Sequence, residues 1–510
     1  MGGLLVLWLN CSGCADSALQ VGHAHEAQNA AGTDNASARA EEENLAPALP
    51  LQAGQKSSPP AAHDDDLSPP AAAGTGMIGG LRNLIQSTEI FSQDGDVQNG
   101  LLGQLDQASE TLSRVRASNR DAIRQANRQT RVGQGPRSPN VILILMERLP
   151  PFRRKDISQE AAPHLARFLD ESVSLTQSYA ASSDLDIARW SLMTGQNPAI
   201  VSPSFPDGRV LPGRQTLAAR LWDGGYHTGF IGQWNVPSLP MENGFEEWIG
   251  FRSRPEASSF PDHVLIDTTE MHLPANANGQ RKLLCDHLFV AESVYFMQRN
   301  QRSRRPFFLM LSLPDVARPA NPDVSEIPMV TLDHVLEKLM ETLDSLQLRQ
   351  NTCVILTAES GMGSDSEQGL EEQSSAGFRT FSHGLGEGNL RVPCFVSWPG
   401  QLSPGRSDHV CAAWDLLPTL MELTATFRGP VPSDGISYVA AMHSLPQKEH
   451  PLLYWATPNH AAQAVRKGTW KGLAIQGQPG VQLYDLSSDP GETLNVAKDH
   501  PDVVQELLAR

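Results

Sequence analysis

The sequence predicts an α/β fold, a layered sheet with helices on both faces followed by a smaller antiparallel sheet, and three observations predict it. Asn140-Val-Ile-Leu-Ile-Leu145 is an unbroken apolar run rich in β-formers, the pattern of a strand buried on both faces. After it, strand-like and helix-like stretches alternate as far as about residue 430. Beyond that the alternation gives way to short segments and one closing helix.

In chain order, the apolar runs Thr228–Gly232, Phe307–Ser312, Cys353–Thr357 and Val392–Trp398 read as further strands. Between them Pro163–Leu169, Thr216–Asp223, Cys285–Arg299, Leu332–Leu346 and Leu416–Leu423 read as helices. Pro451–Trp455, Ala464–Lys471 and Val481–Tyr484 suggest the small antiparallel sheet, and Pro501–Leu508 the closing helix.

The region ahead of Asn140 differs in kind. Leu4–Leu9 is a short apolar run ahead of Cys11-Ser12-Gly13-Cys14, which looks like the end of an export signal, with Cys14 at the place where a bacterial lipoprotein is cut and acylated. No Lys or Arg precedes the run, as a start codon placed too far downstream would explain. Residues 15–75 are rich in Ala, Pro, Ser, Gly, Asp and Glu and bury too little apolar surface to offset ordering entropy, so a disordered linker is expected. Residues 76–135 carry helical spacing at Leu101, Leu102, Leu105, Ala108, Leu112 and Val115 and read as a helical extension. The expected organisation is thus 1–14 signal, 15–75 linker, 76–135 helical extension, 136–428 α/β domain and 429–510 C-terminal subdomain.

Composition narrows the function. The net charge of −17 argues against nucleic-acid binding and anionic membranes. No apolar run approaches the roughly 18 residues that a transmembrane helix needs. Six cysteines in 510 residues are not a disulfide framework. Cys285, Cys353, Cys394 and Cys411 read as small core residues, with a Cys394–Cys411 bridge as an alternative that sequence leaves open. Arg302, Arg304 and Arg305 read as a solvated turn.

From Pro139 to the C-terminus the chain resembles the sulfatase family of the alkaline-phosphatase-like superfamily. The residues that carry the resemblance, in the family's order, begin with Pro139–Leu145, Ala162–Leu169, Ser174–Ser182 and Arg189-Trp-Ser-Leu-Met-Thr-Gly195. Gly224–Gly232, Gly244-Phe-Glu-Glu-Trp248, Arg391-Val-Pro393 with Trp398-Pro-Gly400, Asp415–Leu420 and Leu483–Asn495 continue it. It implies a large mixed sheet flanked by helices, a small C-terminal sheet, and hydrolysis of sulfate esters or sulfamates. It also implies a divalent metal, usually calcium, held by hard oxygen ligands, a formylglycine nucleophile made from a Cys or Ser, and Lys and His groups that serve the leaving oxygen.

At those positions this chain has other residues. Glu147 and Arg148 stand where the family has two metal-binding aspartates, and Glu359 and Ser360 where it has the second ligand pair. Leu185, four residues before Arg189, holds the nucleophile position, with Ile187 at the Pro/Ala position. Gln233 and Asn235 replace the Lys-x-His pair, a later His maps to Asp315 or Ala317, and a further Lys to Ser382 or His383. Arg189 alone is retained. Leucine has no lone pair with which to attack sulfur, and a guanidinium at Arg148 repels calcium. The expected consequence is a dismantled site needing no cofactor, with calcium only if the site works despite its substitutions. Two readings of Arg148 stay open: it takes the metal's place by neutralising Glu147 and Glu359, or it points into solvent beside Arg153, Arg154 and Lys155.

Three functional classes stay open: a sulfatase-like protein that binds a sulfated polysaccharide or a protein partner without turnover, an active sulfuric ester hydrolase, or a hydrolase of another anionic ester using Ser183 or Asp184. For Asp184 the plainer role is loop capping, and Asp186 is a candidate cap for the helix that carries Arg189. The favoured setting is outside the cytoplasm, with a lipid anchor if Cys14 is acylated.

Overall fold

The computed structural model describes residues 138–198, 215–253, 259–303, 305–314, 327–361, 377–381, 384–426, 431–457 and 460–509. The expected signal, linker and helical extension lie outside the described residues.

Strand β1 (Asn140–Arg148) is the axis of the molecule, and its alternation explains the layering. Ile142, Ile144 and Met146 enter a core shared with Leu165 and Phe168, Leu288 and Phe289, and Leu332 and Leu336. Val141, Leu143 and Leu145 enter a second core with Trp190, Leu217 and Leu417. Because the side-chain period of a strand is two, a continuous apolar run feeds both faces at once. The helices that cover these faces are α1 (Pro163–Asp170), α2 (Leu185–Thr194), α3 (Leu217–Asp223), α4 (Cys285–Gln301), α5 (Ile327–Ser345) and α6 (Leu416–Thr424).

The remaining strands of the large sheet are β2 (Val173–Tyr179), β3 (His227–Gln233), β4 (Glu247–Phe251), β5 (His263–Ile266), β6 (Thr269–His272), β7 (Phe307–Leu313), β8 (Thr352–Ser360), β9 (Arg391–Val392), β10 (Cys394–Ser397) and β11 (Gly405–Ala412). Their order is β11-β2-β10-β8-β1-β7-β3-β4-β5-β6, with β9 beside β2. The central strands β8, β1, β7, β3 and β4 are mutually parallel, whereas β10 runs antiparallel to both β8 and β2. The sheet is therefore mixed, as the resemblance implied. Four strand ends, those of β1, β3, β7 and β8, open on one edge, the place where open α/β sheets carry their sites.

A second sheet holds β12 (Leu453–Ala456), β13 (Ala462–Lys467), β14 (Trp470–Ile475) and β15 (Gln482–Asp485) in sequential antiparallel order, and α7 (Pro501–Leu508) closes the chain. Two sequence expectations change here. The segment Ala464–Lys471 is the hairpin of β13 and β14, turning at Gly468 in the left-handed region (φ +58°). The run Val392–Trp398 is divided at Pro393, which has no N–H to donate. Its first part pairs with β2 and its second with β8 and β2. No helix among the described residues is long and apolar enough to cross a membrane.

Candidate functional site

The site is built from the ends of the parallel strands and from the start of α2. Asp184 caps α2, its carboxylate accepting from the backbone N–H groups of Asp186 (3.0 Å) and Ile187 (3.2 Å). The cap is thus Asp184 and not Asp186, which is exposed. The difference follows from helix geometry, since a capping side chain must precede the free N–H groups it satisfies. Leu185 is the first helical residue, and only 4% of it is exposed. Arg189, one turn on, is fully buried.

Arg189 organises the cluster. Its Nε is ion-paired with Glu359 Oε1, at the end of β8. One terminal nitrogen donates to the carbonyls of Gln233 (2.6 Å) and Trp234 (2.9 Å) at the end of β3, and the other to Ser312 Oγ on β7 (2.7 Å). Gln233 Nε2 in turn donates to Glu147 Oε2 at the end of β1 (3.2 Å). One guanidinium therefore reaches β3, β7 and β8 directly and β1 through Gln233. Gly232 permits the convergence. A Cβ there would lie 1.8 Å from the Ser312 carbonyl oxygen, so only glycine lets β3 lie so close to β7 at this level.

Of the two readings of Arg148, the one that has it neutralise Glu359 is corrected. The cation on Glu359 is Arg189, which enters from a buried helix, whereas Arg148 is the partly exposed last residue of β1, in register with Ser360. Glu359 Oε2, Gln233 Oε1 and Asn235 Nδ2 are buried and have no hydrogen-bond partner among the described residues. Asn235 sits in the left-handed region (φ 56°). Ser360 Oγ donates to the Asn389 carbonyl (3.2 Å), which also receives the Gly361 N–H (2.8 Å). Ser183 packs against Gly384, where an added Cβ would come within 2.7 Å of the serine hydroxyl. His383, Ser382, Asp315, Ala317 and Cys14 lie outside the described residues.

The donor set does not suit calcium. That ion takes six to eight oxygens, yet one oxygen of Glu359 is committed to a guanidinium and Glu147 accepts from an amide. Among the described residues no group of three or more His, Cys, Asp or Glu side chains is arranged to hold a metal ion.

Sequence reasoning missed Ser312, whose strand it found but whose hydroxyl gave no signal. It also missed a buried ionic cluster between the two sheets. Lys471 Nζ on β14 lies 3.0 Å from Glu387 Oε1 and 2.8 Å from Glu492 Oε1, with all three side chains fully buried. Tyr179 donates its hydroxyl to Glu387 Oε2 (2.7 Å). A lysine inside a strand that faces the core was the available signal. Burial alone would raise the Glu387 pKa, but Lys471, Arg391 and Arg466 hold it down to about 2. Cys285, Cys353, Cys394 and Cys411 are buried free thiols, so no Cys394–Cys411 bridge forms. Arg305 is not merely solvated, because it bonds Glu246 (2.9 Å) and the Tyr226 carbonyl (2.5 Å).

A mixed sheet with its polar cluster at the edge of the central parallel strands, plus a small antiparallel sheet, is an alkaline-phosphatase-like fold. The chain belongs to the sulfatase family, whose family model matches residues 139–319 and 329–426. An N-acetylgalactosamine-6-O-sulfatase of Bacteroides thetaiotaomicron is 24% identical over 482 residues, covering 74% of this chain and 93% of that protein. Arylsulfatase A of Homo sapiens is 25% identical over 444 residues, covering 73% of this chain and 86% of that protein. A solved structure from work on glycosaminoglycan metabolism by Bacteroides thetaiotaomicron matches with a TM-score of 0.61 at 21% identity, over 73% of this chain and 98% of the other. A Pseudoalteromonas sulfatase structure matches at 0.57 and 17% identity, over 78% and 92% of the two chains.

Proposed function

We propose that this chain is a sulfatase-family protein that does not hydrolyse sulfate esters and acts by binding a sulfated polysaccharide or a protein partner. The observation that carries the reading is the commitment of Arg189. This residue makes an ion pair and three hydrogen bonds inside the protein, while Leu185, one turn before it, offers no atom that can attack sulfur. A sulfate ester needs cations to offset its charge and a nucleophile to displace it; here the buried cation is already neutralised. The same commitment supports a site that works without calcium. Asp184 as a substitute nucleophile is disfavoured because its carboxylate is occupied in capping α2. Export, with Cys14 as a lipid attachment point, remains part of the proposal and rests on the N-terminal sequence alone.

The second reading, an active sulfuric ester hydrolase, is favoured by the relatives, an N-acetylgalactosamine-6-O-sulfatase and an arylsulfatase A. One experiment separates the two. The full chain is incubated with 4-nitrophenyl sulfate and with 6-sulfated N-acetylgalactosamine, each with added calcium, and free sulfate is measured. The expected result is no release above buffer, and none from Leu185→Cys co-expressed with a formylglycine-generating enzyme, because Arg189 and Glu359 still occupy one another. Sustained turnover by the unmodified chain would replace the binding reading with the hydrolytic one.

A further inference from the structure

We propose that the sheet edge receives an uncharged sugar ring through its hydroxyl groups, so that in a sulfated polysaccharide the ring seated here is an unsulfated one. The proposal rests on the non-hydrolytic reading above and names the ligand chemistry of the same site. Glu359, Gln233 and Asn235 carry it. The first two are each 1% exposed and Asn235 is 8% exposed. In each, one polar atom is buried without a hydrogen-bond partner among the described residues: Glu359 Oε2, Gln233 Oε1 and Asn235 Nδ2. Buried polar atoms are nearly always paired, so this group at one edge points to a ligand that pairs them.

The side chains gather at one guanidinium. Arg189 holds Glu359 through Oε1 and takes the carbonyls of Gln233 and Trp234, and Asn235 follows directly in the chain. Their other contacts fix what each can offer. Gln233 Nε2 donates to Glu147 Oε2 at 3.2 Å, which leaves Oε1 as an acceptor. Glu359 Oε1 is ion-paired with Arg189, which leaves Oε2 as a second acceptor. Asn235 is held in a left-handed backbone (φ 56°) by its own N–H, which donates to the Arg252 carbonyl at 3.0 Å, and its side chain offers a donor.

A hydroxyl group both donates and accepts. Two neighbouring hydroxyls on a sugar ring suit all of these atoms, one donating to Glu359 Oε2, the other donating to Gln233 Oε1 and accepting from Asn235 Nδ2. A sulfate group has only acceptors and would face two more. Arg189, the cation beside them, is already spent on protein oxygens. An ammonium has only donors and would leave Asn235 unmatched. The departure from the family's pattern runs the same way: Gln233 and Asn235 stand where the resemblance gives a Lys and a His, so two groups able to carry positive charge become neutral amides.

The test is binding of the full chain to a glycan array that carries matched unsulfated and sulfated forms of glycosaminoglycan and galactan chains. Affinities for the hits are then measured by calorimetry, with inorganic sulfate as competitor. Wild type is expected to bind unsulfated or sparsely sulfated forms and to lose about tenfold or more in affinity when the bound ring is sulfated. Inorganic sulfate is expected to compete no better than chloride at equal ionic strength. Asn235→Asp turns the donor into another acceptor at constant shape and should weaken binding about tenfold or more. Asn235→Gly removes the side chain and suits the left-handed backbone, so binding should weaken while Tm stays at or above the wild-type value, a split that a merely structural role would not give. Tighter binding to the fully sulfated forms, competition by inorganic sulfate, wild-type affinity in both Asn235 variants, or binding to no glycan on the array overturns the proposal. Sulfate release would sink the non-hydrolytic reading by its own assay, whereas binding confined to sulfated chains would sink only the placement of a neutral ring.

Discussion

Two buried ionic clusters in this molecule answer charge in opposite ways. At the sheet edge, among the described residues, Arg189 meets the carboxylate of Glu359 and the neutral oxygens of Gln233, Trp234 and Ser312, and Glu359 keeps an unpartnered oxygen. Between the sheets, Lys471 meets two carboxylates, and the surplus negative charge faces Arg391 and Arg466, with Arg391 Nε 3.6 Å from Glu387 Oε2. The Glu387 N–H also donates to Glu492 Oε2 (2.6 Å), tying the second carboxylate to the backbone. The second cluster fastens β14 to the residues entering β9, and among the described residues Arg391 Nε within it has no hydrogen-bond partner. Burying charge is costly in either place, and what differs is how many charged neighbours share it.

The largest effect is therefore expected at Lys471. Lys471→Met leaves Glu387 and Glu492 facing each other without their shared cation, and should lower unfolding free energy by about 3–5 kcal/mol, measured as a shift of the urea midpoint. The wild-type pH profile carries the same information. Glu387 has a folded pKa of about 2, held below the ordinary 4.5. Its contribution is present above pH 4.5 and is lost as pH falls toward 2. Burial and repulsion from Glu387 raise Glu492, so its ionisation works against the fold as pH rises past 4.5. Loss of the acid limb in wild type, or an unchanged midpoint in Lys471→Met, would break the comparison.

Glu359→Gln comes next. It keeps an oxygen for Arg189 but removes the counter-charge, so about 2–3 kcal/mol is expected, less than at Lys471 because three neutral acceptors remain. A cost equal to that of Lys471→Met would mean that the sheet edge has no more slack than the joint between the sheets.

Much of the fold was legible because it is written in periodicity. The buried run at Asn140, the alternation that follows and the closing helix Pro501–Leu508 depend on local pattern. The outer strands β5, β6 and β11 were not read, since partly exposed strands such as Gly405–Ala412, bulged between Ser407 and Val410, lack that pattern. At the site, residue identities were readable and partnerships were not. Sequence named Glu147, Arg148, Arg189, Gln233 and Glu359, yet the ion pair it considered was to Arg148. Which arginine reaches a carboxylate depends on burial and approach direction, and these arise from the packing of α2 under β8, which no linear spacing encodes. Lys471 escaped for the same reason: its partners Glu387 and Glu492 lie 84 residues before it in the chain and well after it in a separate loop.

A third buried carboxylate sharpens the contrast from the other direction. Glu247 lies between two cations, His227 Nε2 at 2.8 Å and Arg299 at 2.5 Å. Burial alone would lower the His227 pKa, but Glu247, Glu246 and Asn300 raise it above the ordinary 6.5. The stabilisation from charged His227 is fully present below pH 6.5 and is lost as pH rises through the folded pKa. Wild type should therefore lose Tm across that window, and His227→Gln should flatten the slope. Because Arg299 still serves Glu247 after His227 is neutralised, the change should be smaller than that of Glu359→Gln. A wild-type Tm that is level across this range would show that the histidine is not charged in the fold.

The smallest expected effect tests the support of the sheet-edge cluster and not its charges. Asp184 holds the first turn of α2 by accepting two backbone N–H groups, and Arg189 projects from the next turn. Asp184→Ala should cost about 1 kcal/mol in the urea midpoint, the usual worth of an N-cap, while exposed Asp186→Ala should change it far less. Coupling is the informative part. If the cap fixes the angle at which Arg189 enters the cluster, Asp184→Ala and Glu359→Gln together will cost less than the sum of the two, because the second loss falls on a guanidinium already displaced. Strict additivity would instead mean that the strand ends position Arg189 without help from the start of its own helix.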